Sequence, residues 1–278
     1  MERYRPIIDD WEAFQEAADE PPVAAVRENP LKSGEDFQER LEREFPDVER
    51  SSWNPRVHRL GREEKPGKSV LHWRGEYYVQ EESAAVPVDV LDPQPGEKVL
   101  DLAAAPGGKT TQMAARMENR GEVVANDANS NRLKSLHANV YRTGSAAVRV
   151  NNHDARDFPG GGFDRVLVDA PCTAEGDRAR QSFEAADRES VDGAASLQRK
   201  MMERAEELLE EGGKLVYSTC TFAPRENEGV VEHALEETGL ELERIELEIP
   251  HRRGVTGFDG REFPGEVRKT VRIYPHHL

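Results

Sequence analysis

Val99-Leu-Asp-Leu-Ala-Ala-Ala-Pro-Gly-Gly-Lys-Thr110 decides the architecture: an apolar strand, an acid at its end, a turn with paired glycines, and the start of a helix. In a doubly wound sheet the ligand sits at the carboxyl ends of the strands, against such a turn. Gly107 and Gly108 let a ligand approach the backbone, and a helix N-terminus begins there. Two ligands compete for it. A phosphate-binding loop needs G-x-x-x-x-G-K-[ST], and Gly108-Lys109-Thr110 supplies the end of that motif. Position 103 is alanine, however, and Asp101 sits badly against a triphosphate. An adenosine-type ligand with a carboxylate partner fits better.

Working outward, strands are predicted over 98–102, 122–125, 146–150, 163–168 and 214–218, and helices over 82–91, 108–117, 129–143, 193–209 and 227–238. That alternation implies βαβ units and a parallel sheet. The fold class expected is α/β: a Rossmann-like, doubly wound, mostly parallel sheet over 81–278, with a small N-terminal α+β module over 1–80. In the module, 9–19 and 34–45 read as short amphipathic helices, 23–30 and 52–60 as extended pieces, and 63–68 as a turn. Residues 69–80 alternate like a strand with a turn at Gly75. At the other end, 242–249 and 266–274 read as extended, and no final apolar strand closes the C-terminal edge.

Composition bounds the function. The chain of 278 residues carries 38 Lys+Arg against 54 Asp+Glu, a net −16. No run approaches the roughly 18 apolar residues of a spanning helix, and the start lacks the apolar region of a signal peptide. A membrane location is therefore not expected. Two cysteines make neither a disulfide framework nor a zinc site, so a reducing cytoplasm and no metal are the expectations; a monomer is expected as well. Only nine lysines accompany the many acids, a balance that favours salt adaptation over an ordinary acidic enzyme. Net acidity argues against nucleic acid unless something specific overrides it.

Further acids stand where an adenosine-type ligand needs them. Asp127 follows the second strand of the sheet, the place of a ribose-binding acid, and Asp154 follows the third, where an adenine amino group would be met. Helix capping is the competing role for each. The fourth strand ends in Asp169-Ala-Pro-Cys-Thr173 and the fifth in Ser218-Thr-Cys-Thr221. Neighbouring strands lie about 4.8 Å apart, which brings both cysteines to one sheet edge. A thiolate, a carboxylate and an adenosyl cofactor suggest methyl transfer to an unactivated ring carbon. Adding a thiolate to carbon 6 of a pyrimidine makes carbon 5 nucleophilic, and an acid at the ring nitrogen stabilises the intermediate.

Asp101-Leu-Ala-Ala-Ala-Pro-Gly-Gly-Lys-Thr110, Asp169-Ala-Pro-Cys-Thr173 and Ser218-Thr-Cys-Thr-Phe-Ala-Pro-Arg-Glu-Asn-Glu228 resemble the motifs of the NOP/Sun (RsmB-like) family of S-adenosylmethionine-dependent RNA cytosine-5 methyltransferases, in an archaeal-type short form. Asn29-Pro-Leu-Lys32 and Gln80-Glu-Glu-Ser-Ala84 resemble that family's upstream segments. The resemblance implies Cys220 as nucleophile, Cys172 as the group that assists product release, and Asp169 as the contact to cytosine. It implies that Ala103, Ala104, Ala105, Pro106, Gly107, Gly108, Lys109, Asp127, Asp154 and Asp169 hold S-adenosylmethionine, and that the substrate is RNA; with no long extra RNA-binding domain, tRNA is expected before rRNA. A catalytically idle RNA-binding assembly factor and a P-loop NTPase are the other readings.

Three departures stand out: Ala103 where the family commonly has cysteine, Thr173-Ala174 where it has serine-glycine, and an ending at Tyr274-Pro-His-His-Leu278 without a last Gly-Phe-Phe strand. His276-His277 reads as a solvated tail. Arg178, Arg180 and Arg188, interleaved with Asp177, Glu184 and Asp187, are either an RNA-phosphate contact or a solvated loop.

Overall fold

The computed structural model describes residues 1–20, 23–177 and 185–278. Its first elements are α1 (Trp11–Asp19), β1 (Ala25–Glu28), α2 (Phe37–Glu44), β2 (Glu49–Arg50), β3 (Val57–Arg59), α3 (Val70–Trp73), β4 (Tyr77–Gln80) and α4 (Val86–Leu91). There follow β5 (Lys98–Asp101), α5 (Gly108–Arg116), β6 (Glu122–Asn126), α6 (Ser130–Thr143) and β7 (Val148–Asn151). The last are β8 (Phe163–Asp169), α7 (Arg188–Leu208), β9 (Leu209–Ser218) and α8 (Glu228–Glu237). The chain divides into two compact units, one of 23–169 with 208–217 and the other of 1–22, 170–207 and 218–278.

The larger unit holds two sheets. Its five-stranded sheet runs β7-β6-β5-β8-β9, and the pairs β6–β7, β5–β6 and β5–β8 are parallel. Val99, Leu100, Val123 and Leu167 are fully buried in it, with Met113 of α5 and Met117 just beyond it also fully buried. Central strands covered on both faces are rich in apolar residues, and Val99-Leu100 and Val166-Leu-Val168 mark 98–102 and 163–168 as strands. The chain leaves β5 for β6 and β7 on one side and returns to β8 on the other. That reversal makes a topological switch point at the ends of β5 and β8, beside Asp101 and Asp169. The second sheet is antiparallel, β2-β3-β1-β4, with Val26 facing His58 on one side and Val79 on the other. Val26, Phe37, Leu41, Phe45, Leu71 and Tyr77 form its core.

In the smaller unit Tyr4, Ile7, Phe14, Val191, Phe222, Val255 and Tyr274 make one buried cluster. Asp10 caps α1 by accepting from Ala13 N–H at 3.0 Å. The C-terminal segment is tied in by the buried pair of Arg272 and Glu228, and by Tyr274 O–H donating to Ile7 O at 2.7 Å.

Three expectations are corrected. Residues 69–80 are not one extended piece: Ser69 accepts from Leu71 N–H and starts the helix α3, which stops before Gly75, leaving only Tyr77–Gln80 as strand. A serine cap with a glycine stop outweighed the alternating pattern. Residues 242–249 contain no strand, and 266–274 begin in a 3-10 turn (Gly265–Lys269), with Val271–Arg272 alone pairing with Arg252–Arg253. His276 and His277 are not a solvated tail. Their side chains are 8% and 5% exposed, and each Nε2 lies against an Asp9 carboxylate oxygen, at 3.1 and 3.0 Å.

Candidate functional site

The larger unit carries the glycine turn. Gly107 has φ +105 and serves as N-cap of α5. A Cβ there would come within 2.9 Å of Leu136, so the tight turn requires glycine. Ala104 N–H donates to Asn126 O at 2.7 Å, and Ala105 N–H to Asp127 Oδ2 at 3.2 Å, which fastens the turn to the end of β6. Arg132 also reaches it, through Ala105 O and the Asp127 carboxylate. Asp127 is buried and its Oδ1 accepts from Asn129 N–H at 2.9 Å. Two oxygens offer about four acceptor sites, so capping and turn-holding leave capacity for hydroxyl donors.

Asp101 is the most perturbed carboxyl of this unit. Thr110 O–H donates to its Oδ2 at 2.6 Å, while Oδ1 is buried with no hydrogen-bond partner among the described residues. Burial pushes its pKa up to about 7, helped by the neighbouring charges of Asp169 and Asp127. Lys109 Nζ bridges to Asp169 Oδ2 at 2.8 Å, linking the start of α5 to the end of β8. Asp154 caps the short turn Ala155–Asp157 through Arg156 N–H and pairs with the Arg156 guanidinium at 2.5 Å. That pair, with the cap, holds it low, near 2. Capping therefore accounts for what Asp154 touches.

The smaller unit carries both cysteines. Ala170 N–H donates to Ser218 O at 2.9 Å, so the chain segments after β8 and β9 leave side by side. Cys172 and Cys220 are free thiols with Sγ atoms 3.3 Å apart, Cys220 exposed and Cys172 partly so. A hydrogen bond from the Cys220 thiol, joined by backbone N–H groups of Cys220 and Ala174, holds the Cys172 thiol below its ordinary value despite burial.

Two buried carboxylates that the sequence reading gave no role fix this pair. Glu226 accepts from Thr173 N–H at 3.0 Å, Thr173 O–H at 2.5 Å and Gln198 Nε2 at 2.9 Å. Glu175 accepts from Arg3 Nη2 at 2.7 Å, Tyr4 O–H at 2.9 Å, Ala186 N–H at 2.8 Å and Thr221 O–H at 3.0 Å. The hydroxyls of Thr173 and Thr221, each one residue beyond a cysteine, lie 2.9 Å apart. Asn227 holds the second loop from inside, accepting from Thr219 O–H at 2.6 Å and donating to Thr221 O at 3.0 Å. The signal was present in Arg225-Glu-Asn-Glu228, four consecutive polar residues that are all used. Ala174 adopts φ +54, a left-handed conformation that suits glycine.

Among the described residues, Asp9, His276 and His277 are the one group with metal-ligand spacing. Tyr274 N–H donates to His277 Nδ1 at 3.1 Å, which puts that ring's proton on Nε2, toward Asp9. The arrangement is a carboxylate clamp between the chain ends. Arg188 opens α7, 3.9 Å from Asp192, and Asp187 caps that helix through Ser190 N–H. Arg178, Arg180 and Glu184 lie outside the described residues.

The pattern of the 16S rRNA methyltransferase RsmB/F family matches residues 88–278, and that of the N-terminal domain of 16S rRNA methyltransferase RsmF matches 1–82. The chain is 38% identical over 283 aligned residues to a tRNA (cytosine(49)-C(5))-methyltransferase of Pyrococcus abyssi, covering 99% of this chain and 90% of that protein. It is 39% identical over 220 residues to a 28S rRNA (cytosine-C(5))-methyltransferase of Mus musculus, of whose length it spans 27%. A crystal structure of a methyltransferase homolog from Pyrococcus horikoshii superposes with a TM-score of 0.83 at 34% identity, over 95% of this chain and 85% of that one.

Proposed function

The chain belongs to the RsmB/F methyltransferase family, and from that premise we propose that it transfers a methyl group from S-adenosylmethionine to carbon 5 of cytosine in RNA through a covalent bond from Cys220. The thiol pair, 3.3 Å apart, carries the proposal. The relative aligned over nearly its whole length acts on tRNA, and the rRNA relative is matched over a quarter of its length, so tRNA is the substrate proposed first.

The residues present fit the cofactor. Gly107 and Gly108 open the backbone of the turn, and Asp101 leaves a buried acceptor oxygen unpartnered among the described residues. Ala103 to Lys109 and Asp127 would line its nucleoside, with Asp169 and its lysine at the switch point. Asp154 joins them only if its pair with Arg156 opens. When bound, S-adenosylmethionine supplies a methyl group activated by a sulfonium.

The work of this chain's own residues runs as follows. Cys172, the sulfur held low, takes the Cys220 proton as Cys220 Sγ bonds to carbon 6 of the base. That proton leaves to solvent, which reaches Cys172 in part. Asp169, steadied by Lys109, contacts the ring and stabilises the charge that addition creates. After methylation Cys172 takes the carbon-5 proton, the electrons of that bond form the 5,6 double bond, and Cys220 departs as thiolate. Glu226 and Glu175 keep both sulfurs in register throughout. The base must leave its stack to be reached. We place this chemistry in the cytoplasm, in a monomer without metal, with 1–80 as the RNA-contacting module and 81–278 as the catalytic domain. Among the described residues no helix is long and apolar enough to cross a membrane. Incubation with a tRNA transcript and S-adenosylmethionine, followed by bisulfite mapping, should show one new 5-methylcytosine; methyl-free RNA would refute the activity and leave an RNA-binding factor of the same fold.

A further inference from the structure

Three large apolar side chains stand exposed among the described residues: Val70 (66%), Trp73 (83%) and Tyr141 (88%). All three lie in the larger unit, on α3 and near the C-terminal end of α6. These two ends are joined. Arg142 Nη1 donates to His72 O at 2.9 Å and Tyr77 O at 3.1 Å, and Asn29 Nδ2 donates to both Gly75 O and Thr143 O, at 2.7 and 2.8 Å. A Cβ on Gly75 would lie 1.9 Å from Arg142 O, so the backbones touch there. Trp73 precedes one side of that junction and Tyr141 the other.

The charge around them runs against the rest of the molecule. No acid occurs between Asp127 and Asp154, a stretch that at the chain's average of 54 acids in 278 residues would hold about five. It contains Arg132, Lys134, Arg142 and Arg149 instead. On α6, Lys134, His137 and Tyr141 are exposed at helical spacing on one face. Beside α3, Lys68 and Arg74 are exposed, and Glu76, the acid next to Arg74, is buried and held by Arg40 and Arg74. Neither Lys68 nor Lys134 has a carboxylate partner among the described residues.

We infer that Trp73 and Tyr141 form a stacking platform for unpaired bases of the RNA substrate, with Lys68, Arg74 and Lys134 meeting the phosphates; the inference rests on the RNA substrate proposed above. An aromatic face accepts any base, and a local basic field on an acidic protein fixes where a polyanion lands. The platform joins α3 of the N-terminal part to α6 of the Rossmann-like sheet, so RNA contact is not confined to the segment before residue 80.

The test uses the full chain, a tRNA transcript, and the variants Trp73→Ala, Tyr141→Ala and both together. Each single change should weaken RNA binding about tenfold, and the pair more, as base–aromatic stacking energies imply. KM for RNA should rise with kcat at saturating RNA unchanged, and S-adenosylmethionine affinity by calorimetry should not move. Lys134→Ala should shift binding less and reduce its salt dependence. A double variant that melts like the parent and binds tRNA equally well would overturn the platform. So would loss of self-association in sedimentation with RNA affinity intact, which would assign the face to a second copy. If the parent binds tRNA without methylating it, and the double variant still loses that binding, the platform stands and the proposed activity falls.

Discussion

Replacing Glu226 tests whether the cysteine pair is held or merely adjacent. The carboxylate is fully buried and accepts from Thr173 N–H, Thr173 O–H and Gln198 Nε2. In Glu226→Ala two of those donors have substitutes: the Thr173 hydroxyl can turn wholly to Thr221 Oγ1, and Gln198 Nε2 already reaches Pro171 O at 2.9 Å. The Thr173 N–H loses the acceptor that Glu226 Oε2 gives it, and leaving a part-buried donor unsatisfied costs about 1–3 kcal/mol. The emptied volume adds a further cost, while removing a buried charge returns part of it. A net loss of about 2–3 kcal/mol in urea unfolding is therefore expected. Thiol reactivity separates two effects. The Glu226 charge raises the Cys172 pKa, so Glu226→Gln, which keeps the volume and one acceptor, should move Cys172 alkylation to lower pH. Glu226→Ala frees the loop, weakens the hydrogen bonds from Cys220 and Ala174, and should move the profile to higher pH. Mass-resolved iodoacetamide labelling of Cys172 across pH reads both. Identical profiles in parent and both variants, with stability within about 0.5 kcal/mol, would refute the positioning role.

Three more perturbations follow. Ala174→Gly removes a left-handed alanine and should stabilise the fold by about 0.5–1 kcal/mol in urea unfolding, the larger cost of a left-handed residue being offset by chain entropy; destabilisation would mean that the methyl group packs usefully. Asp127→Ala releases Ala105 N–H and the cofactor hydroxyls together, and should weaken S-adenosylmethionine binding by roughly 1.5–3 kcal/mol in calorimetry; unchanged affinity would remove Asp127 from the cofactor site. Asp101 carries a folded pKa raised to about 7, so the native state keeps a proton that the unfolded chain gives up above about pH 4. Stability is then lost as pH rises from about 4 to 7, by something on the order of 3–4 kcal/mol, and Asp101→Asn should flatten that slope; parallel stability–pH curves would contradict it.

Much of the fold was legible because its signals are local. Val99-Leu100 and Val166-Leu-Val168 are short apolar runs inside strand-length stretches, and Gly107-Gly108 marks its own turn. The P-C and T-C segments were found by their position at strand ends, and strand order alone sets their neighbourhood. What stayed hidden depends on partners distant in sequence. Glu226 acts on Thr173, 53 residues away, and Glu175 on Tyr4, 171 away, and neither carries a periodic mark. His276 and His277 looked like a tail because Asp9, at the far end of the chain, holds them. Ser69 is the opposite case: its cap is local, but the alternating aromatics around it carry the stronger strand signal.

The covalent role of Cys220 is tested most directly by a denaturing gel of labelled tRNA incubated with S-adenosylmethionine and each cysteine variant. Cys172→Ala should accumulate a denaturant-resistant protein–RNA adduct, because the carbon-5 proton is no longer removed and the Cys220 bond persists. Cys220→Ala should give neither adduct nor 5-methylcytosine. An adduct formed by Cys220→Ala and absent from Cys172→Ala would show that the two sulfurs have exchanged roles.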